Sequence, residues 1–139
     1  MSEKFEQIMT AIVDSLSGVS ATIERNIDVP TSLEVGNLVI VRDGEEQASE
    51  RPLGGFSNVT HDHIAEIVVV VSPSDPDDRD FDFSDLCGEV RDALLVDPTF
   101  GGLVGGVDFD KPTGVTEGSF GASGIKSGTI EVSFTYDTN

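Results

Sequence analysis

The stretch Asp62-His63-Ile64-Ala65-Glu66-Ile67-Val68-Val69-Val70-Val71-Ser72 decides the fold. Five consecutive β-branched residues, Ile67 to Val71, are stiff at χ1 and pack best on a pleated surface. The run does not alternate with polar residues. It therefore predicts a strand over 62–72 that is buried on both faces and central to a sheet. A central strand needs neighbours, and the chain supplies them. Ile130, Val132, Phe134 and Tyr136 alternate with Thr129, Glu131, Ser133 and Thr135. This is the period-2 signature of a half-buried strand, here 126–137, with one wet face. Leu38 to Val41 reads as another strand, and 20–26 and 107–110 as short ones.

Two segments change to the helical period. Phe5, Ile8, Met9, Ile12, Val13 and Leu16 form one apolar stripe over 3–17, with Ser2 placed to cap it and Gly18 to end it. Leu86, Val90, Ala93 and Leu94 form a second stripe over 84–96, with Ser84 as the predicted cap. Asp97-Pro98 stops that helix, because a residue before proline avoids helical angles. The stretches 27–36, 72–82, 99–106 and 113–124 read as loops, the last two Gly-rich. Residues 43–60, broken by Gly44, Pro52, Gly54 and Gly55, read as a long polar loop or arm. The result is an α+β fold: one mixed, mostly antiparallel sheet with two helices packed on one face. Phe5, Ile8, Ile12, Leu16, Val90 and Leu94 are expected to be buried against Ile67, Val69, Ile130 or Val132.

The chain has 139 residues, enough for a single domain over 1–139 that buries roughly 68–70% of its unfolded surface without a staple. One cysteine, Cys87, excludes an internal disulfide and any cysteine-based zinc site. No apolar run reaches the length of a membrane span, and no secretory signal is expected. Acidic residues number 26 and basic residues 8, a net charge of −18. Such a chain has no basic stripe with which to grip a nucleic-acid backbone, and an anionic membrane repels it. Concentrated salt would screen its self-repulsion. The composition therefore suggests a halophilic source and a fold that gains stability with salt.

Motifs for chemistry are sparse. His61 and His63 share one strand face about 6–7 Å apart. A zinc ion would need further ligands, and ordinary edge histidines are the simpler reading. Asp75, Asp77, Asp78, Asp80 and Asp82 lack the spacing, the central Gly and the terminal Glu of a calcium loop. They read as a solvated loop before a helix N-terminus, where acids are favoured. Cys87 reads as a small buried apolar residue rather than a nucleophile. No serine elbow, phosphate loop or dinucleotide fingerprint is present. No catalytic residue, metal ligand or cofactor is expected.

The order of segments resembles the tail terminator (tail completion) proteins of long-tailed viruses, the phage lambda terminator family. The likeness runs from the Phe5–Leu16 helix to the Val-rich strand ending in Val71-Ser72-Pro73. It continues through the helix Phe83-Ser84-Asp85-Leu86-Cys87-Gly88-Glu89-Val90-Arg91-Asp92-Ala93-Leu94 and the segment Asp97-Pro98-Thr99-Phe100-Gly101-Gly102-Leu103. It closes on the strand Ser127–Tyr136. Gly-rich 101–124 and the acidity depart from the family pattern. The resemblance implies a ring-forming, non-enzymatic virion subunit at the tail–neck junction, assembled in the host cytoplasm. With the acidity, it points to a haloarchaeal virus. Six copies would close around a lumen through which DNA passes without specific binding. Its partners would be itself, the tail tube protein and a neck or connector protein. Another connector ring protein, a stopper or head-completion protein, fits the same pattern. A small halophilic metal-binding module or enzyme using His61, Asp62 and His63 is the different-class alternative. Within the 43–60 loop, Arg51, Leu53 and Phe56 are the expected interface anchors. Asp75, Asp77 and Asp78 are the second candidates, facing solvent or the channel.

Overall fold

The computed structural model describes residues 3–26, 36–50, 59–72, 79–117 and 125–138. Its elements are α1 (Glu3–Ser15), β1 (Thr22–Arg25), β2 (Gly36–Glu50), β3 (Val59–Ser72), α2 (Arg79–Val96), β4 (Val107–Phe109), β5 (Thr113–Glu117) and β6 (Lys126–Thr138). The strands form one mixed sheet in the order β1-β2-β3-β6-β4, with β5 also paired to β6. Among the described residues, only the β1–β2 pair is parallel. The architecture is α+β, as the sequence predicts.

Strand parity separates two cores. Val39 and Val41, Ala65, Ile67, Val69 and Val71, and Ile130, Val132, Phe134 and Tyr136 point to the helix side. There they meet Phe5, Ile8, Met9, Ile12 and Leu16 of the first helical segment and Phe83, Leu86, Cys87, Val90 and Leu94 of α2. Every residue expected in the core is buried there. The opposite parity, Leu38, Ile40, Val68 and Val70, joins Ile125 in a second small cluster. The Val-rich run is thus buried on both faces, as its unbroken apolarity demands.

Several boundaries differ from the sequence reading, and residues 113–117, read as part of a Gly-rich loop, form the strand β5 against β6. β3 starts at Val59 rather than 62, and β2 continues to Glu50. Residues 43–50 are therefore strand and not loop, and Gly44 is a bulge within it rather than a breaker. α2 begins at Arg79, so Ser84 is an exposed interior residue and not the cap. Asp80 and Asp82 occupy the first turn, where carboxylates suit the positive end of the helix dipole. The far end of α2 stops as predicted. Asp97 Oδ2 accepts from the Gly101 N–H at 2.8 Å, and Val104 N–H donates to the Thr99 carbonyl at 3.1 Å.

Gly88 lies in the middle of α2, and a β-carbon there would meet nothing within 4 Å. Glycine costs backbone entropy in a helix interior. Gly88→Ala is therefore expected to stabilise the protein by about 0.5–1 kcal/mol. A chemical denaturation midpoint that falls instead of rising would refute this.

Candidate functional site

β3 and β6 pair without interruption from Val59↔Thr138 to Val71↔Lys126, and β2 accompanies β3 from Gly36↔Ser72 to Glu50↔Thr60. β1 covers the outer edge of β2 only as far as Arg25↔Val41, and β4 covers β6 only from Phe109↔Val132 to Val107↔Phe134. Beyond those points the sheet runs on as a three-stranded arm. Among the described residues, no strand pairs with the outer edge of β2 after Val41 or with that of β6 after Phe134.

The arm is joined to the body by a bulge. The β2 register skips between Arg42↔Glu66 and Glu45↔Ile64, so Asp43 and Gly44 face the single residue Ala65. Gly44 takes φ 67°, the left-handed region that glycine enters without steric cost. Asp43 is fixed from every side. Its N–H donates to Asn26 Oδ1 at 3.0 Å, and His63 Nε2–H donates to its carbonyl. Its Oδ1 accepts from Arg25 Nη2 at 2.9 Å. Arg25 also grips Glu6 of α1 through two hydrogen bonds, at 3.0 and 3.2 Å. The Glu6 bond, more than Asp43, holds the guanidinium more firmly protonated than usual against the cost of burial.

The two faces of the arm differ sharply in chemistry. On the helix side, the ring of buried His63 lies 4.6 Å from Phe5 and 5.3 Å from Phe134. His61 stacks on Tyr136 at 4.8 Å, and its Nδ1 contacts the Glu46 carboxylate. Phe5, Asp43, Gly44, Glu46, His61, His63 and Tyr136 line a cavity of about 350 Å³. The two histidines share a face as predicted. Each spends a ring nitrogen on β2, which is a positioning role. No group of three metal-ligating side chains occurs among the described residues.

The opposite face is coated with carboxylates. Glu66 stands directly across from Glu131 on one side and Arg42 on the other. Glu45 lies level with Ile64, Asp62 with Thr135, Asp137 with Thr60, and Asp108 with Ser133. Thr135 Oγ1 donates to Asp62 Oδ1, and Thr60 Oγ1 to Asp137 Oδ1, each at 2.7 Å. These threonines orient two carboxylates without neutralising them. Like charges directly opposed across strands are destabilising, so this face is acidic at a cost to the fold. The sequence reading counted these acids without grouping them. The period-2 alternation of β6, continued into β3, was the signal that groups Asp62, Glu66 and Glu131.

Arg51, Leu53 and Phe56 lie outside the described residues, and so do Asp75, Asp77 and Asp78. Cys87 is buried in α2, where desolvation pushes its thiol up to about 11, partly opposed by the charges of Arg91 and Lys126. At pH 8 this alone makes the folded thiolate about a hundredfold scarcer than in the unfolded chain. Iodoacetamide should therefore label Cys87 only on unfolding, and fast labelling in native buffer would refute the burial. The sign of the pH effect follows. Between about pH 9 and 11 the unfolded chain loses this proton while the folded chain keeps it. Stability from this group is complete below that window and declines as pH rises through it.

No helix among the described residues is long and apolar enough to cross a membrane. No family model matches the chain, and no curated protein matches its sequence.

Proposed function

We propose that the protein is a structural virion subunit, a tail terminator. Copies of it, about six, close into a ring that caps the tail tube, ends tube growth and joins the tail to the neck. The observation that carries this reading is the three-stranded arm, which has a carboxylate-coated face and, among the described residues, no strand paired to the outer edge of β2 after Val41 or of β6 after Phe134. A subunit whose two open edges lie on opposite sides is suited to a head-to-tail interface, and such an interface generates a ring when its rotation closes. Turned inward, the face bearing Asp62, Glu66 and Glu131 would repel phosphates, so that DNA slides through instead of sticking. The order of segments supports the reading too: amphipathic helix, long central strand, second helix, closing strand. The charge of −18 fits a haloarchaeal host, because dense carboxylates need concentrated salt to tolerate one another.

Native mass spectrometry and negative-stain imaging in about 0.1 M and about 2 M KCl test the proposal, since screening lengths differ several-fold between them. Rings of about six copies that gain population with salt are expected. A monomer at every salt concentration overturns the assembly reading. A Glu66→Gln, Glu131→Gln variant should keep the ring and uniform tail lengths but slow DNA exit from virions. Unchanged exit would remove the acidic face from the lumen.

A further inference from the structure

The arm's helix-side face supports a separate inference that does not depend on a lumen. The bulge at Asp43 and Gly44 borders a space lined also by Phe5, Glu46, His61, His63 and Tyr136. This space is the cavity of about 350 Å³, within the roughly 300–1,000 Å³ range of small-ligand sites. Its walls are aromatic rings: Phe5 and Tyr136 stand 6.3 Å apart, and His61 stacks on Tyr136. Its rim is acidic. Glu46 and Asp43 line it directly, and Glu6 reaches the same joint through Arg25. Two carboxylates, Asp43 and Glu6, therefore share one guanidinium, and the third, Glu46, contacts His61 Nδ1, so carboxylates outnumber the fixed cation beside the rings. Ring faces and carboxylates both attract a planar or compact organic cation.

We propose that this cavity binds a basic side chain, arginine foremost, presented by a partner polypeptide other than this chain. A guanidinium stacks on aromatic faces and bonds carboxylates in the same pose, which an ammonium does less well. The occupant is assigned to a different protein because this chain has only 8 basic residues and holds several of them internally. Arg25 is bound within the site, Lys4 donates to the Asp137 carbonyl, and Lys126 bonds Asp80 while lying over the Phe83 ring. A partner richer in arginine would supply what this chain lacks.

Titration of the isotope-labelled full chain with N-acetyl-arginine amide, followed by NMR, tests the proposal. Citrulline amide serves as the neutral match of the same shape. Saturable shifts confined to Gly44, Glu46, His61, Tyr136 and their neighbours are expected with arginine and not with citrulline. Glu46→Gln keeps the side-chain shape and should weaken binding about tenfold, as should Tyr136→Leu. Equal response to citrulline, no response, or shifts spread evenly over the acidic surface would each overturn the site. Self-association that Glu46→Gln abolishes would overturn the choice of partner.

Discussion

Gly44→Ala is expected to destabilise the protein by about 2–5 kcal/mol. Two effects combine at this residue. A non-glycine residue in the left-handed region costs about 1–2 kcal/mol. The added β-carbon would also fall 1.9 Å from the Ile64 carbonyl oxygen and 2.8 Å from the Ala65 α-carbon. Both obstacles are backbone of the central strand, so relief requires shifting β3 or abandoning the bulge, at the cost of an overpacked site, about 1–3 kcal/mol. Gly101 provides the control. It has a similar φ of 69°, yet nothing lies within 4 Å of its missing β-carbon. Gly101→Ala should therefore show the conformational cost alone. Urea denaturation of the two variants measures the difference. Equal losses at Gly44 and Gly101 would show that the close approach to β3 does not exist.

Leu94→Ala is expected to cost about 2–5 kcal/mol, the range for deleting a fully buried aliphatic side chain and leaving a cavity. Leu94 is 0% exposed on the inner face of α2, among the residues that pack on the sheet. Its chain neighbour Leu95 is 57% exposed. Leu95→Ala should stay within about 0.5 kcal/mol. The pair has the same chemistry one residue apart, so the contrast reads the orientation of the helix directly. Ile12→Ala should match Leu94→Ala, because Ile12 is also fully buried on the stripe of α1. A loss below about 0.5 kcal/mol at Leu94 would mean that the stripe faces elsewhere.

The core was legible in the sequence because each buried stripe has one period and one partner face. β3 announced itself through Ile67 to Val71, and β6 through its alternation. The arm was not legible, for a physical reason. Beyond Arg42, β2 loses its partner on one side, and Gly44, Glu45 and Glu46 are exposed. An edge strand in water has no need of apolar residues, so its composition is that of a loop. The β2–β3 register skips again between Glu46 and Ala48, which blurs the period further. The early start of α2 was hidden by Phe81, which is 73% exposed and breaks the polar outer face, while Asp80 and Asp82 mimic a loop. The parallel pairing of β1 with β2 carries no local signature, because Thr22–Arg25 is polar and short. Of the candidate site, the shared face of His61 and His63 was readable. Their use as ties to Asp43 and Glu46 was not, since it depends on a bulge that shifts the register.

The carboxylate-coated face has a consequence for the dimensionality of growth. Open strand edges invite copies to add to one another, and uncontrolled addition normally ends in stacked sheets about 10 Å apart with dry interfaces. Stacking requires two sheet faces to exclude water from between them. Glu66 and Glu131, already opposed within one copy, would meet their own kind across such a stack, with no dielectric to spare them. If copies meet along the arm's edges, as proposed above, they would extend the sheet sideways and would not thicken it. The repulsion that weakens each arm would then leave a single layer as the form of the proposed assembly.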